Sequence, residues 1–204
     1  MRAIGVVLAT LVSAVSLTAG ASIAVSCGFE DPKSASTARG ILNFMYPNAL
    51  YVSTAVWRAQ LDGVIACDDP PQKDRSIVAG RSKYDMAVAH LARLRDKLAG
   101  GLDGSPKPAF SLVLLGPMLW TRFVTEGHGI AMTPHVNNAD ANDVVIVTDQ
   151  PVIAALVEGQ MSATLAIELG LIRIYGPADK VAGLTSLIDG LPTQSARLAM
   201  PATN

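Results

Sequence analysis

Aromatic and charged residues are scarce in this chain of 204 residues: aromatic side chains make up 5% of it, and Asp, Glu, Lys and Arg together make up 16%. The 16 basic and 17 acidic residues give a formal net charge of −1, without long runs of one sign. Nucleic-acid-binding proteins usually carry a basic patch or stripe, so this composition argues against such a partner. Half of the residues are hydrophobic, which is enough for one domain with a large core or an apolar cavity.

Sequence motifs of enzyme chemistry are also missing. The chain has no Gly-x-Ser-x-Gly elbow, no Walker loop and no dinucleotide fingerprint. Three histidines, His90, His128 and His135, are the candidates for a metal site, with Asp140 and Asp143 as possible oxygen ligands, but His128 and His135 lie seven residues apart around a loop. They lack the closely spaced Cys or His pairs of structural zinc sites. We therefore expect a non-enzymatic protein without a metal or another cofactor.

The chain has one long apolar run, and it lies at the amino terminus. Arg2 precedes the uncharged residues 3–17, and small residues fill positions 18–24. This order is typical of a secretory signal peptide, which we expect to be cleaved near Ala21 or Ala24. An uncleaved anchor is the alternative, but the run reaches the roughly 20 residues of a membrane-spanning helix only when the small residues that suit a cleavage site are counted. The sequence thus predicts a periplasmic or extracellular protein.

The two cysteines allow two interpretations. In an oxidising compartment, Cys27 and Cys67 are expected to form a disulfide. Alternatively, residues 23–27 loosely match a lipobox, in which Cys27 would be acylated and would attach the protein to the membrane surface. Cys67 would then remain unpaired.

The first part of the exported chain, residues 25–75, predicts an amino-terminal extension with a helix. Residues 27–47 mix Gly, Pro, Asp and Ser with short apolar pieces, which favours a looped entry with one helical turn. Residues 53–66 have helical spacing of apolar side chains, and Trp57 is expected to lie in the core. Prolines that follow acidic residues end this helix.

Residues 76–190 predict the main domain. A capping box at Ser82 and a regular apolar stripe over residues 84–98 indicate an amphipathic helix. Apolar runs at residues 110–115 and 118–124 predict two strands, and a further short strand is expected before Pro134.

The last third of the chain has the clearest signals. The predicted elements are a buried strand at residues 143–148, a helix capped by Thr148 or Asp149 and ended by Gly159, a short helix from Ser162 to Gly170, a strand at residues 171–175 and a final helix through Ile188. Residues 191–204 are expected to form a loose tail.

The order and spacing of the elements in residues 143–190 resemble the carboxyl-terminal half of sterol carrier protein type lipid-binding domains. The resemblance is carried by Leu156-Val157-Glu158-Gly159 at a helix end and by residues 170–177, in which glycines flank an apolar strand. The preceding strands and helix match the family only in their order, and residues 27–74 have no counterpart in it. The resemblance implies an α+β fold in which helices cover a mostly antiparallel sheet.

The resemblance also implies an apolar tunnel for a lipid, fatty acyl or sterol-like ligand. The residues expected to line it are Leu112, Leu114, Trp120, Val145, Leu156 and Ile174. A solid core uses the same amino acids, so the pattern leaves both possibilities open. Arg122 must pair or bind an anion if it points inward, and otherwise faces solvent.

Two functions follow from these alternatives. The first is an exported, non-enzymatic binding protein for an apolar or amphipathic small molecule. The second is an envelope accessory protein with a filled core, in which residues 27–74 present a surface for a protein partner. An envelope enzyme without a recognisable motif ranks third.

Overall fold

The computed structural model describes residues 32–67, 77–104, 107–127 and 129–193. The predicted signal peptide, Cys27, His128 and most of the predicted tail lie outside these residues. Within the described ranges, no helix combines the length and the apolar character needed to cross a bilayer.

Helices and strands alternate in groups along the chain. The elements are α1 (Pro32–Met45), α2 (Tyr51–Leu61), α3 (Ile77–Gly100), β1 (Phe110–Leu114), β2 (Leu119–Glu126), β3 (Gly129–Val136), β4 (Val144–Thr148), α4 (Gln150–Glu158), α5 (Ala163–Glu168), β5 (Arg173–Tyr175) and α6 (Ala178–Asp189).

The strands form one five-stranded sheet in the order β3-β2-β1-β4-β5. β1 and β4 are parallel, and the other three neighbouring pairs are antiparallel. Helices lie on both faces of this sheet. The predicted α+β fold with a mostly antiparallel sheet is therefore confirmed.

One face of the sheet packs against α3, α4 and α6, and we call it the closed face. Side chains alternate between the two faces of a strand, so Phe110 and Leu112 of β1 share this face with Phe123 and Ile146 of the neighbouring strands. The rings of Phe110 and Phe123 stack with centroids 4.7 Å apart. Between the sheet and the helices lies a gap with a volume of only about 10 Å³.

The other face, which we call the open face, carries Ser111, Val113, Trp120, Arg122, Val145 and Val147. Helix α2 packs against β4, and the segment that follows α1 covers another part of this face. The Tyr46 ring, just after α1, lies between Trp120 and Tyr175, with centroid distances of 6.2 and 5.3 Å. The Tyr175 hydroxyl donates a hydrogen bond of 2.8 Å to the carbonyl of Pro47.

The turn between β1 and β2 joins α1 to α4. Arg39 of α1 donates hydrogen bonds to the carbonyls of Leu115 and Gly116, at 3.2 and 2.7 Å. The Gly116 amide donates to the Asp149 carboxylate at 3.2 Å, and the same carboxylate accepts from the Gln150 amide. A Cβ at position 116 would lie 3.1 Å from that carboxylate, so glycine permits this close approach.

The predicted caps in the last third are confirmed. Asp149 caps α4, and Gly159 ends it with a left-handed φ of 75°. The Ser162 hydroxyl accepts from the Leu165 amide at the start of α5, and Gly170 follows that helix with φ of 70°. Such signals are reliable because the cap atoms lie within a few residues of the groups that they satisfy.

The predicted looped entry and the predicted start of the long helix are wrong. Residues 32–45 form α1, whose buried positions include the small Ala35 beside Leu42. α3 begins at Ile77 rather than at Ser82. The described part of the extension, residues 32–67, therefore holds two helices where one was predicted.

Two further predictions need correction. Trp57, expected in the core, is 60% exposed. The strand expected to end before Pro134 continues to Val136 as β3, with the β-bulge residue His135 at φ of 61°. β3 is an edge strand, where a proline does not interrupt the pairing of the sheet.

Candidate functional site

The six residues predicted to line one cavity lie on two sides of the sheet. Ile174 pairs with Ile146 on the closed face, the face that also carries Leu112 and Leu114 and packs against Leu156. Trp120 and Val145 lie on the open face. The sheet therefore divides the predicted set, and the six cannot line a single cavity.

The closed face forms a packed core within the described residues. Its gap, bordered by residues such as Leu98, Leu112 and Leu156, is too small for an acyl chain and is close to the lower limit for a single water molecule. This arrangement corresponds to the solid core that the sequence left open as an alternative. The prediction that these side chains bind a ligand stays a prediction.

A larger groove lies between α2 and the segment that links α5 to β5. Its volume is about 530 Å³. The residues that line it are Tyr51, Thr54, Ala55, Arg58, Ala59, Asp62, Val64, Leu169 and Leu171. Drug-sized ligands typically occupy pockets of about 300–1,000 Å³, so this groove has the size of a small-molecule site.

The groove depends on the glycine that follows α5. Gly170 adopts φ of 70°, and a Cβ at this position would lie 4.0 Å from the Cβ of Ala55 on α2. The backbone therefore turns beside α2, with Leu171 buried and Leu169 exposed on either side of the glycine. Ala59 is also buried, so the inner part of the groove is apolar.

The exposed border of the groove is polar and carries both charges. Arg58 and Asp62 lie one helical turn apart at the end of α2, and both are exposed. An amphipathic molecule would place its apolar part against Ala59 and Leu171 and its polar head at this border. The groove was not predicted from the sequence, because the apolar residues of α2 were expected to face the core.

A second polar cluster lies on the open face, where Arg122 contacts two carboxylates. Its guanidinium donates to Asp143 at 2.9 and 3.1 Å, and it pairs with Asp140 at 2.9 Å. The Ser111 hydroxyl donates to Asp143 at 2.7 Å. The Asp143 side chain is only 2% exposed, whereas that of Arg122 is 33% exposed.

The electrostatics of this cluster favour charged Asp143. Burial would raise the pKa of Asp143, but the hydrogen bonds from Arg122 and Ser111 and the charge of Arg122 outweigh burial and hold that pKa below its ordinary value. The hydrogen bond to Asp143 raises the pKa of Arg122. Since two carboxylates already engage Arg122, the cluster joins β1, β2 and the loop before β4 rather than offering a site for an anion.

The remaining sequence candidates for chemistry are separated. The ring of His135 contacts that of Tyr84, with centroids 6.1 Å apart, while Asp140 and Asp143 are bound to Arg122. In the part of the chain that the structure describes, no three His, Cys, Asp or Glu side chains come close enough to hold a metal ion. His128 lies outside that part.

Cys67 is exposed beyond the end of α2, and its thiol lies 3.6 Å from the carbonyl oxygen of Gln60. Its expected partner, Cys27, lies outside the described residues. The disulfide therefore stays a prediction, as does the acylated cysteine.

No family model and no curated protein matches this chain. Among solved structures, it is similar to sterol carrier protein 2, with 14% identity, coverage of 56% of this chain and 90% of that chain, and a TM-score of 0.38. It is also similar to the UbiJ-SCP2 ubiquinone synthesis protein, with 15% identity, coverage of 53% and 96%, and a TM-score of 0.36.

A third similar structure is the stereoselective inverting sec-alkylsulfatase Pisa1 from Pseudomonas sp., with 16% identity and a TM-score of 0.34. That match covers 47% of this chain and only 14% of the sulfatase. Sterol-carrier-like structures are thus among the folds to which the chain is similar, as the sequence predicted. The similarity concerns the fold alone, and no ligand or activity is taken from it.

Proposed function

We propose that this chain is an exported, non-enzymatic binding protein for an apolar or amphipathic small molecule, such as a fatty acyl or sterol-like compound. The observation that carries the proposal is the groove between α2 and residues 169–171, with its volume of about 530 Å³. The proposal places the ligand there, outside the set of six residues predicted from the sequence.

A fatty carboxylate suits the groove well. Each methylene buried against Ala59 and Leu171 contributes about 0.8 kcal/mol. Arg58 at the border supplies a guanidinium, which binds a carboxylate head group through charge-assisted hydrogen bonds. The ligand therefore combines an apolar chain with an anionic or strongly accepting head.

The test is titration of the purified exported protein with a fluorescent fatty-acid probe. Thr54→Trp places a large ring in the groove at an exposed helical position, and we expect it to weaken probe binding about tenfold or more, in line with the loss of buried apolar area. Ser36→Trp on the exposed side of α1 is the matched control and should bind like the unmodified protein. If Thr54→Trp binds the probe as tightly as the unmodified protein does, the ligand does not bind in this groove.

The identity of the head group is tested separately. Arg58→Gln should weaken binding of the free fatty acid but leave its methyl ester nearly unaffected, because only the acid carries the charge that Arg58 pairs with. Extraction of the protein purified from its native host, followed by mass spectrometry, would identify a resident ligand.

A second candidate is the accessory role, favoured by the packed closed face. If the unmodified protein binds no fatty-acid or sterol probe and yields no extractable lipid, a protein-interaction module becomes the better explanation. The groove would then take a side chain of a partner.

Export and the cysteine chemistry are part of the same proposal. Protein recovered from the envelope is expected to begin after Ala21 or Ala24, or at an acylated Cys27. An intact Met1 on most of the protein would contradict export with cleavage. Mass measurement without reduction separates the cysteine alternatives: loss of two hydrogens indicates the disulfide, whereas alkylation of Cys67 without prior reduction indicates the lipoprotein.

A further inference from the structure

Exposed apolar side chains concentrate on α1, α2 and the turn after α2. Ten large hydrophobic residues are exposed in the described part of the chain, and seven of them lie between residues 41 and 64. The seven are Ile41, Phe44, Met45, Tyr51, Trp57, Leu61 and Val64. Phe44 is 87% exposed, which is unusual for a phenylalanine in a folded domain.

Helical spacing places these side chains in outward stripes. On α1, Ile41 lies three residues before Phe44 and four before Met45, and on α2, Trp57 lies four residues before Leu61. Residues three and four apart share one side of a helix. The opposite sides of both helices are buried toward the open face of the sheet, so the two stripes point away from it.

The charge of this helix pair differs from that of the remaining chain. Residues 32–61 contain Lys33, Arg39 and Arg58 but no Asp or Glu, which gives a charge of +3. Because the whole chain carries −1, the rest carries −1 − 3 = −4. The apolar stripes therefore lie on helices that carry basic side chains and no carboxylate, although Asp62 directly follows α2 and α3 is also basic.

We propose that α1 and α2 dock on the surface of an anionic lipid bilayer. Interfacial helices combine aromatic and aliphatic side chains on one side with Lys or Arg and lie in the plane of the membrane. Anionic head groups attract basic residues, at about 1 kcal/mol for each residue near the surface. Trp57 and Tyr51 suit the interface because their rings are amphipathic.

The chain before α1 supports this occupant over a protein. Cys27 of the lipobox-like segment, the residue that would be acylated, stands five residues before Pro32. A single acyl chain holds a protein only weakly at a membrane, and stable attachment needs a second signal such as a basic patch. The α1–α2 pair would supply that second signal if Cys27 is acylated, and docking of the pair itself does not require the anchor.

The two tryptophans allow a direct test. The chain contains only Trp57, on the proposed docking surface, and Trp120, which is 5% exposed. In the otherwise full chain, Trp120→Phe leaves Trp57 as the one fluorescent tryptophan. Vesicles of phosphatidylcholine and phosphatidylglycerol should shift its emission to shorter wavelength, and lipids with brominated acyl chains should quench it.

The control for this measurement is the reciprocal variant Trp57→Phe, in which buried Trp120 should show neither the shift nor the quenching. An amino-terminal anchor alone would bring the protein to the vesicle without immersing Trp57, so quenching reports docking of α2 and not mere attachment. The signal should weaken in pure phosphatidylcholine and at high salt, because screening reduces the attraction to anionic lipid.

Matched substitutions locate the contact. In the Trp120→Phe background, Phe44→Gln should reduce the Trp57 response about tenfold or more at a given lipid concentration. Met86→Gln removes an equally apolar, 48% exposed side chain from α3 and should change nothing. Unchanged Trp57 emission with anionic vesicles would overturn the proposal. A shift that depends on protein concentration without lipid would also overturn it, in favour of a second copy.

Discussion

The two faces of the sheet are covered in different ways. On the closed face, α3, α4 and α6 leave a gap of about 10 Å³ and bury nearly every side chain that faces them. On the open face, α1 and α2 leave the groove, the Arg122 cluster and a row of exposed apolar side chains. The closed face therefore provides stability, whereas the features suited to binding belong to the helices of the open face.

The largest effect is expected from Leu112→Ala on the closed face. Leu112 is fully surrounded, and removing a large side chain from a packed core typically costs about 2–5 kcal/mol of unfolding free energy. Denaturant unfolding measures the loss. A much smaller loss, together with binding of a fatty-acid probe by Leu112→Ala, would mean that this face opens into a cavity. The closed face would then not differ from the open face in the way proposed.

The ion cluster of the open face should matter somewhat less. Asp143→Asn removes the charge that Arg122 and Ser111 contact, and we expect a loss of about 1–3 kcal/mol at neutral pH because an amide NH2 replaces one of the two oxygens that accept their hydrogen bonds. Asp85→Asn, at an exposed position on α3, is the control and should leave the unfolding midpoint unchanged.

The pH dependence of stability identifies this cluster. Because the pKa of Asp143 is lowered in the folded state, its contribution is present above the unfolded pKa of about 3.9 and is lost as the pH falls through the lower folded pKa. The unmodified protein should therefore lose stability below about pH 4. Asp143→Asn should show a flatter curve there, and parallel curves for the two proteins would count against this assignment.

A smaller effect is expected where the groove depends on backbone conformation. Gly170→Ala introduces a Cβ at φ of 70°, which costs about 1–2 kcal/mol for an ordinary residue. The new Cβ would lie at an ordinary contact distance of 4.0 Å from the Cβ of Ala55, so the backbone strain lowers thermal stability, and probe binding should fall to the extent that the turn beside the groove relaxes. Gly104→Ala, at φ of 79° with no atom near the new Cβ and outside the residues that line the groove, is the control and should lower stability without changing probe binding.

The smallest effect on stability is expected at the exposed edge of the groove. Leu169→Gln changes a side chain that is 44% exposed, so the unfolding free energy should change by no more than about 0.5 kcal/mol. Binding of the probe should nevertheless weaken, since Leu169 lines the groove. A large destabilisation would show that Leu169 belongs to the core. A residue that lines the groove would then also support the stability of the fold.

The sequence predicted the last third of the fold well because its signals are local. Asp149 and Ser162 lie beside the amides that they cap, and Gly159 and Gly170 mark positions of positive φ. For this reason the helices and strands from β4 to α6 could all be predicted from the sequence.

Helix α1 could not be recognised in the same way. Its inward side includes the small Ala35, its outward side carries Phe44, and Gly40 interrupts the pattern. The apolar residues therefore do not fall on a single stripe. Trp57 was misplaced for a related reason, since α2 is apolar on two sides and the pattern alone does not identify the buried one.

The candidate site depended on pairings between distant segments. Residues 144–147 of β4 are all apolar, so the sequence does not tell which of Val145 and Ile146 faces the same side as Leu112, and only the register with β1 separates them. Similarly, the carboxylate that pairs with Arg122 comes from a residue 21 positions later. Both features become visible only once the strands are aligned.

The contacts of Tyr46 have a consequence for how the molecule opens. This ring, the hydrogen bond from Tyr175 to Pro47 and the contacts of Arg39 attach α1 and α2 to a sheet whose other face is already filled. Regions with fewer buried contacts open at lower free energy than the core, as separate cooperative units. The helix pair should therefore detach while the sheet stays folded, and its amides should exchange with solvent deuterium earlier than those of β1 and β4. Such an opening would uncover the aromatic side chains of the open face without unfolding the domain.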